Sequence, residues 1–274
     1  MAENHPSKPN HLEPSELGTK EYNPFFFQTN SWDNLYKREL VNNSSDPTDR
    51  GTVWFDDSDA ETKLLQFLED LTEEDETPIT STPPLDKQST SFLDLGCGNG
   101  SLLFALRQEG WRGRCLGVDY SEESVALARQ IAGSESGAAA GEEDGGQVEF
   151  AAWDVLRGAY PPVVLGGEQA AGWDVVHDKG TFDAISLSDE TDAGGARRAS
   201  EGYKGRVVRL VRPGGLFLVT SCNWTEAELE DWFGEGSAGV EGGEFVRVGR
   251  VNYPSFSFGG VKGQTISTLC FQMK

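Results

Sequence analysis

FLDLGCGNG, residues 92–100, is the stretch whose reading decides the fold. It spells Asp94-x-Gly96-x-Gly98-x-Gly100 between an apolar run, Ser91–Leu95, and a stretch with helical spacing, Ser101–Gln108. Glycines let a backbone turn sharply and approach a ligand closely. The N-terminus of the helix that follows offers unpaired N–H groups. A G-x-G-x-x-G fingerprint would need glycine at 101, where Ser101 stands, so the spacing departs from dinucleotide binding. The strand–turn–helix pattern then recurs. Strands are expected at Arg114–Val118, Val148–Ala151, Trp173–His177 and Leu216–Thr220. Helices are expected at Glu122–Ala132, capped by Ser121 with Ser124 in its first turn, at Ala196–Leu210 before Arg212-Pro213-Gly214-Gly215, and at Glu226–Phe233. Glu244–Val251 and Thr265–Gln272 read as two final strands with no helix between them. The alternation predicts an α/β domain with a mostly parallel sheet, helices on both faces and one antiparallel strand at the end.

Upstream of residue 91 the character changes. Residues 1–16 are polar, with Pro6, Pro9 and Pro14, and read as a disordered tail. Residues 17–90 read as a helical, aromatic extension and an acidic linker. Trp32, Leu35, Tyr36 and Leu40 recur at helical spacing over 31–41. Residues 56–76 carry ten acids against Lys63, and there Leu64, Leu65, Phe67, Leu68 and Leu71 mark a helix face with Ser58 as its expected cap. Residues 72–90 read as a loop, 91–274 as the main domain, and 133–146 (GSESGAAAGEEDGG) as a flexible insertion.

Composition narrows the function classes. The 274 residues hold 23 Lys and Arg against 45 Asp and Glu, a net charge of −22. Direct nucleic-acid binding and docking on anionic membranes both need a basic footprint that this chain lacks. Cys97, Cys115, Cys222 and Cys270 are far apart, and His5, His11 and His177 are the only histidines, so reduced thiols are expected rather than a metal site. There is no membrane-length apolar run and no secretory h-region. The expectation is a soluble cytoplasmic protein, and without repeat or heptad a monomer.

The acidic positions give the glycine turn a ligand. Asp94 stands where a carboxylate suits a cationic amino group and would repel a pyrophosphate. Asp119-Tyr120, about 20 residues beyond the turn at the end of the second strand, suits a ribose diol. A nucleoside carrying an amino-acid moiety is S-adenosylmethionine (AdoMet) rather than NAD. The candidate cofactor-binding residues are therefore Asp94, Gly96, Cys97, Gly98, Gly100, Asp119 and Tyr120.

On these residues the chain resembles the class I, seven-strand AdoMet-dependent methyltransferases over about 91–272. The resemblance implies a Rossmann-like sheet of order 3-2-1-4-5-7-6 with strand 7 antiparallel. It also implies a third cofactor position at Trp153-Asp154, with Trp153 against the adenine ring, or only packed in the core, and Asp154 at its amino group. WDVVHDKGTFDAISLS (173–188), RPGGLFLVTSCNWT (212–225), YPSFSFGGVKGQTISTLCFQ (253–272) and the N-terminal LGTKEY and WDNLY resemble the eukaryotic lysine methyltransferases of translation elongation factor 1-alpha. Two stretches depart from that family: NPFFFQTNS (23–31) and 133–146 look inserted. The family's N-terminal segment implies Trp32 as a lid over AdoMet, or else as a packing anchor. Methyl transfer needs mainly positioning of a neutral lysine amine. Asp178, Asn223 and Trp224, beyond the fourth and fifth strands, are the candidates to orient it, with Asp178 also a candidate cofactor contact. Asp178 is also a candidate for capping a turn, and Asp183 for capping a helix. His177 reads as a strand residue. A small-molecule methyltransferase and a non-catalytic AdoMet-binding protein are the alternatives.

Overall fold

The computed structural model describes residues 29–55, 58–73, 84–138, 146–188, 190–191, 195, 197–235, 243–258 and 261–274. The tail expected at 1–16, residues 23–28 of NPFFFQTNS and residues 139–145 of the low-complexity stretch lie outside them. Two N-terminal helices, α1 (Thr29–Ser45) and α2 (Ala60–Asp70), precede the sheet domain. The domain then runs β1 (Phe92–Leu95), α3 (Ser101–Gln108), β2 (Cys115–Asp119), α4 (Glu122–Ala138), β3 (Val148–Ala152), β4 (Trp173–Lys179) and α5 (Thr181–Leu187). It continues with α6 (Tyr203–Val208), β5 (Val211–Ser221), α7 (Glu226–Phe233), β6 (Phe245–Val251), a hairpin β7 (Ser255–Phe258) and β8 (Val261–Gln264), and β9 (Ser267–Met273).

The seven-stranded sheet has the order β3-β2-β1-β4-β5-β9-β6, with β9 antiparallel to both of its neighbours. With the β7–β8 hairpin set aside, this is the expected order 3-2-1-4-5-7-6. The central strands are apolar on both faces because helices cover both, as parallel sheets require. Successive side chains alternate between the two layers. Phe92, Cys115, Phe150, Val175, Leu216 and Leu218 pack with Leu64 and Leu68 of α2, Leu103 of α3 and Leu127 of α4. Leu93, Leu95, Val118, Val176, Phe217 and Val219 pack with Phe182 of α5, Tyr203 of α6 and Phe233 of α7. On that second face Phe182 and Phe233 meet edge to face at 4.9 Å.

Several local expectations are corrected. Ser58 does not cap α2: Asp59 takes that position with φ +56° and no side-chain cap bond, and Ser58 Oγ lies 3.5 Å from Thr265 Oγ1 instead. The helix expected over Ala196–Leu210 is a 3₁₀ turn, Ala199–Gly202, followed by the short α6. Gly202 and Gly205 weaken helix there by about 1 kcal/mol each, and Arg198 is drawn off to the Ser186 and Ser188 carbonyls at 2.7 and 2.9 Å. Helix α4 runs past Ala132 to Ala138, and α5, which the sequence pattern did not signal, follows β4 directly. No helix among the described residues is long and apolar enough to cross a membrane.

Glycine 100 closes the turn with φ +82°, and a Cβ there would stand 2.6 Å from the Phe150 ring and 3.1 Å from Phe104. Gly100→Ala must therefore strain the backbone and displace a core ring, a loss of about 1–3 kcal/mol in urea unfolding. An unchanged midpoint would contradict this account of the turn.

Candidate functional site

At the carboxyl ends of β1, β2 and β4 the sheet opens into a cavity of about 720 Å³. Asp119 and Tyr120 from β2, Trp153–Arg157 after β3, and Gly180, Thr181, Ala184 and Ile185 around the start of α5 form its walls. Trp32 and Tyr36 of α1 and Trp54 of the following loop cover it. A smaller recess shares those aromatics, Gly96 and Lys179, and reaches Asp94, Cys97, Gly98 and Glu61. Asp94, Gly96, Cys97, Gly98, Asp119, Tyr120, Trp153, Asp154 and Trp32 are thus brought to one place. Gly100 is not in the lining; it closes the turn from beneath.

Backbone bonds hold the turn against β2. Gly96 and Cys97 donate to the Val118 carbonyl at 2.7 and 3.0 Å. Asp119 accepts from Gly98 N–H at 3.1 Å, Ser121 N–H at 3.0 Å and Ser124 Oγ at 2.9 Å. Burial still pushes its carboxyl above the ordinary range, and these donors only partly offset that. Ser121 Oγ also accepts from Ser124 N–H at 3.4 Å, the expected cap of α4. Asp94 pairs in register with His177 across β1 and β4, and His177 Nδ1 lies 2.9 Å from Asp94 Oδ1. Nδ1–H donates, the carboxylate accepts, and buried His177 Nε2 has no partner among the described residues. His177 is thus a strand residue that aims Asp94.

Opposite the turn, Trp32 meets Trp54 edge to face at 5.3 Å and stacks near Tyr36 at 6.2 Å. Trp153 both packs and lines: its indole donates to the Ala159 carbonyl at 2.8 Å, while Arg206 lies 5.5 Å over its ring. Asp154 accepts from Leu156 N–H at 2.7 Å. Lys179 donates to the Trp54 carbonyl at 2.8 Å and pairs with Glu61 at 3.2 Å.

The three residues expected to orient the acceptor are not in the lining. Asp178 is wholly buried, takes Thr181 N–H at 2.9 Å and Phe182 N–H at 3.0 Å, and accepts from the Tyr203 hydroxyl. It caps α5. Asp183 does the same for the end of β5, accepting from Ser221 Oγ and from Cys222 N–H at 3.0 Å. Asn223 and Trp224 donate their N–H groups to Ser221 Oγ, and the Trp224 indole donates to Ser186 Oγ at 2.9 Å inside the core. Polar groups at strand ends here turn inward because the helix starts beside them need acceptors. Lys179, Glu61, Tyr36, Trp54 and Thr181 were missed as lining residues. Lys179 and Thr181 stand within WDVVHDKGTFDAISLS, and Trp54 within the aromatic extension, but their convergence depends on the fold.

The lining fits AdoMet. A Cβ on Gly98, at φ +55°, would stand 2.8 Å from the Tyr36 hydroxyl, so the turn presents bare backbone where a side chain would fill the recess. Carboxylates at Asp94 and Asp119 flank that turn, beside aromatic walls.

Residues 86–248 match the family described as "Methyltransferase domain". The chain is 37% identical to "Protein-lysine N-methyltransferase EFM4" of Saccharomyces cerevisiae, over 95% of this chain and 96% of that one. It is 36% identical to the efm4 protein of Schizosaccharomyces pombe, over 96% of each. It is 31% identical to "EEF1A lysine methyltransferase 2" of Homo sapiens, over 94% of this chain and 87% of that one.

Burial pushes Asp178 up to about 7 from 3.8, and Asp183 up to about 6. The folded chain then keeps protons that the unfolded chain releases near 3.8. Their contribution to stability is full below 3.8 and is lost as pH rises through 6 and then 7. The melting temperature of Asp178→Asn should therefore fall less between pH 5 and pH 8 than that of the unaltered chain. Equal slopes in the two melting series would refute the assignment.

Proposed function

We infer the reaction from one premise: the chain belongs to the methyltransferase-domain family. It is an AdoMet-dependent protein-lysine N-methyltransferase, and its substrate is a lysine of translation elongation factor 1-alpha, the EEF1A in the name of its Homo sapiens relative. The observation that carries this reading is the glycine turn with buried Asp94 and Asp119 on either side, Asp119 lining the aromatic-walled cavity and Asp94 the adjoining recess. The likeness to lysine methyltransferases runs through the N-terminal extension as well as the sheet domain.

Bound AdoMet supplies a methyl group already activated on a sulfonium, so the protein's share is positioning and electrostatics. Asp119, its orientation set by Ser121 and Ser124, would hold the ribose diol. Asp94, aimed by His177, would hold the amino-acid ammonium. Trp153, Asp154 and Tyr120 would hold the adenine. Trp32 and Trp54 keep water from the reacting centre. Asp178 is a positioning residue: by capping α5 it fixes Gly180 and Thr181 in the cavity wall. A free lysine is neutral in only about one molecule in a few thousand at pH 7. Loss of water on docking disfavours its charged form and raises that fraction.

The net charge of −22 favours encounter with a basic protein over nucleic acid or an anionic membrane. The enzyme works in the cytoplasm as a monomer.

Incubation with labelled AdoMet and purified elongation factor 1-alpha should place label on lysine, read by mass spectrometry. Label confined to small molecules, or no label on protein despite AdoMet binding, would overturn the reading. Asp119→Ala should weaken AdoMet binding about ten-fold or more by calorimetry, the usual worth of charged hydrogen bonds, with an unchanged circular-dichroism spectrum.

A further inference from the structure

We propose that Trp32 and Trp54 form the acceptor-side wall of the site, an aromatic corner that holds the target lysine nitrogen more firmly once it carries methyl groups than before. The proposal rests on the lysine-methyltransferase reading above and deepens it, giving the two indoles a part in recognition beyond keeping water out.

Four observations carry it. First, the cavity and the recess share Trp32, Tyr36, Trp54, Gly96 and Lys179, whereas Asp119 lines only the cavity and Asp94 only the recess. A donor anchored at both carboxylates has its reacting sulfur between them, so the acceptor nitrogen must arrive at this shared junction. Second, every carboxylate among the lining residues is already committed. Glu61 pairs with Lys179 Nζ at 3.2 Å and accepts from Ser101 Oγ at 2.6 Å. Asp154 and Glu190 both face Arg157, at 3.5 and 3.2 Å. Asp119 takes Gly98, Ser121 and Ser124, and Asp94 takes His177. The aromatic lining of the junction is then the partner for a cation. Third, Trp54 is placed from three sides. Lys179 Nζ donates to its carbonyl at 2.8 Å. Gly180, at φ +87°, makes room for its indole, since a Cβ there would stand 2.8 Å from that ring. Trp32 meets it at 5.3 Å with the ring planes 75° apart, a corner rather than a stack. Fourth, the chemistry of the product favours rings. Each added methyl replaces one N–H donor, of which a lysine ammonium has three, and leaves the positive charge in place. Oxygen acceptors therefore lose contacts as methyl groups are added, while aromatic faces keep theirs.

The consequence is that the enzyme holds its methylated product more tightly than its substrate. Calorimetry on the full chain tests this, with S-adenosylhomocysteine present so that no transfer occurs. The titrant is elongation factor 1-alpha, purified without methylation or after complete methylation by the unaltered chain. The methylated form should bind about three-fold or more tighter, the worth of a cation–π contact. Trp54→Ala should erase most of that preference, chiefly by weakening the methylated form, and Trp54→Phe should retain part of it. Equal affinity of the unaltered chain for the two forms overturns the proposal without any variant. Equal losses for both forms in Trp54→Ala also overturn it, since they would mark Trp54 as structural support only. A preference that survives Trp54→Ala undiminished places recognition elsewhere and overturns it as well. If the unaltered chain transfers no methyl group to elongation factor 1-alpha, the lysine-methyltransferase reading fails and takes this proposal with it; if it transfers methyl groups but binds both forms alike, that reading stands and only the aromatic corner falls.

Discussion

Four buried aspartates, Asp94, Asp119, Asp178 and Asp183, gather at the end of the sheet where the site opens, and the local structure follows from satisfying them. A buried carboxylate without partners is costly. Each one here organises a different piece of chain. Asp119 gathers the N–H of Gly98 in the glycine turn and the start of α4. Asp178 starts α5 and ties it to Tyr203 of α6. Asp183 ties α5 to the end of β5. Asp94 is matched by one histidine on the neighbouring strand. Two of the four, Asp178 and Asp183, spend their acceptors inside the fold. Of the other two, Asp119 reaches the cavity lining and Asp94 the adjoining recess, and that division separates support from recognition.

The N-terminal extension is held to this framework by apolar packing of α2, whose Leu64 and Leu68 join the core beneath the sheet, and by polar contacts around the loop that follows α1. Glu39 of α1 accepts from Thr52 N–H at 2.9 Å, Asn43 donates to the Asp49 carbonyl at 2.8 Å, and Asn99 of the glycine turn donates to the Arg50 carbonyl at 2.9 Å. Gln130 of α4 donates to Asn43 at 2.6 Å. The loop over residues 46–55 is thereby strapped across the glycine turn, with Trp54 at its end. Net hydrogen bonds of this kind contribute about 1 kcal/mol each. Such a strap can open locally at far lower cost than the sheet, as binding elements must. Asn99, which belongs to the turn itself, thus ties the turn to this strap.

Much of this was legible in the sequence, for reasons that can be named. Short continuous apolar runs and the glycine turn located β1, α3, β2 and the sheet class, because burial on both faces leaves such a signature. Asp94 and Asp119 were legible because they sit at fixed offsets from that turn. Asp178, Asn223 and Trp224, expected to orient the acceptor, stand outside the lining, since a polar residue at a strand end looks the same whether it faces ligand or caps a helix. The α5 helix was invisible because its start is specified by the Asp178 side chain rather than by apolar periodicity. Glu61, Lys179 and Trp54 come from three separate segments, and only the folded chain brings them together. His177 read correctly as a strand residue, yet its contact with Asp94 depends on a register that no single sequence displays.

The central claim is that one cofactor occupies both the glycine-turn recess and the aromatic-walled cavity beneath the strap. Hydrogen exchange with and without S-adenosylhomocysteine tests it most directly. The account predicts added protection at residues 94–100 and 119–121 together with residues 50–55 of the strap, and little change at 221–225. Protection centred on 221–225, with the glycine turn and strap unaffected, would contradict it.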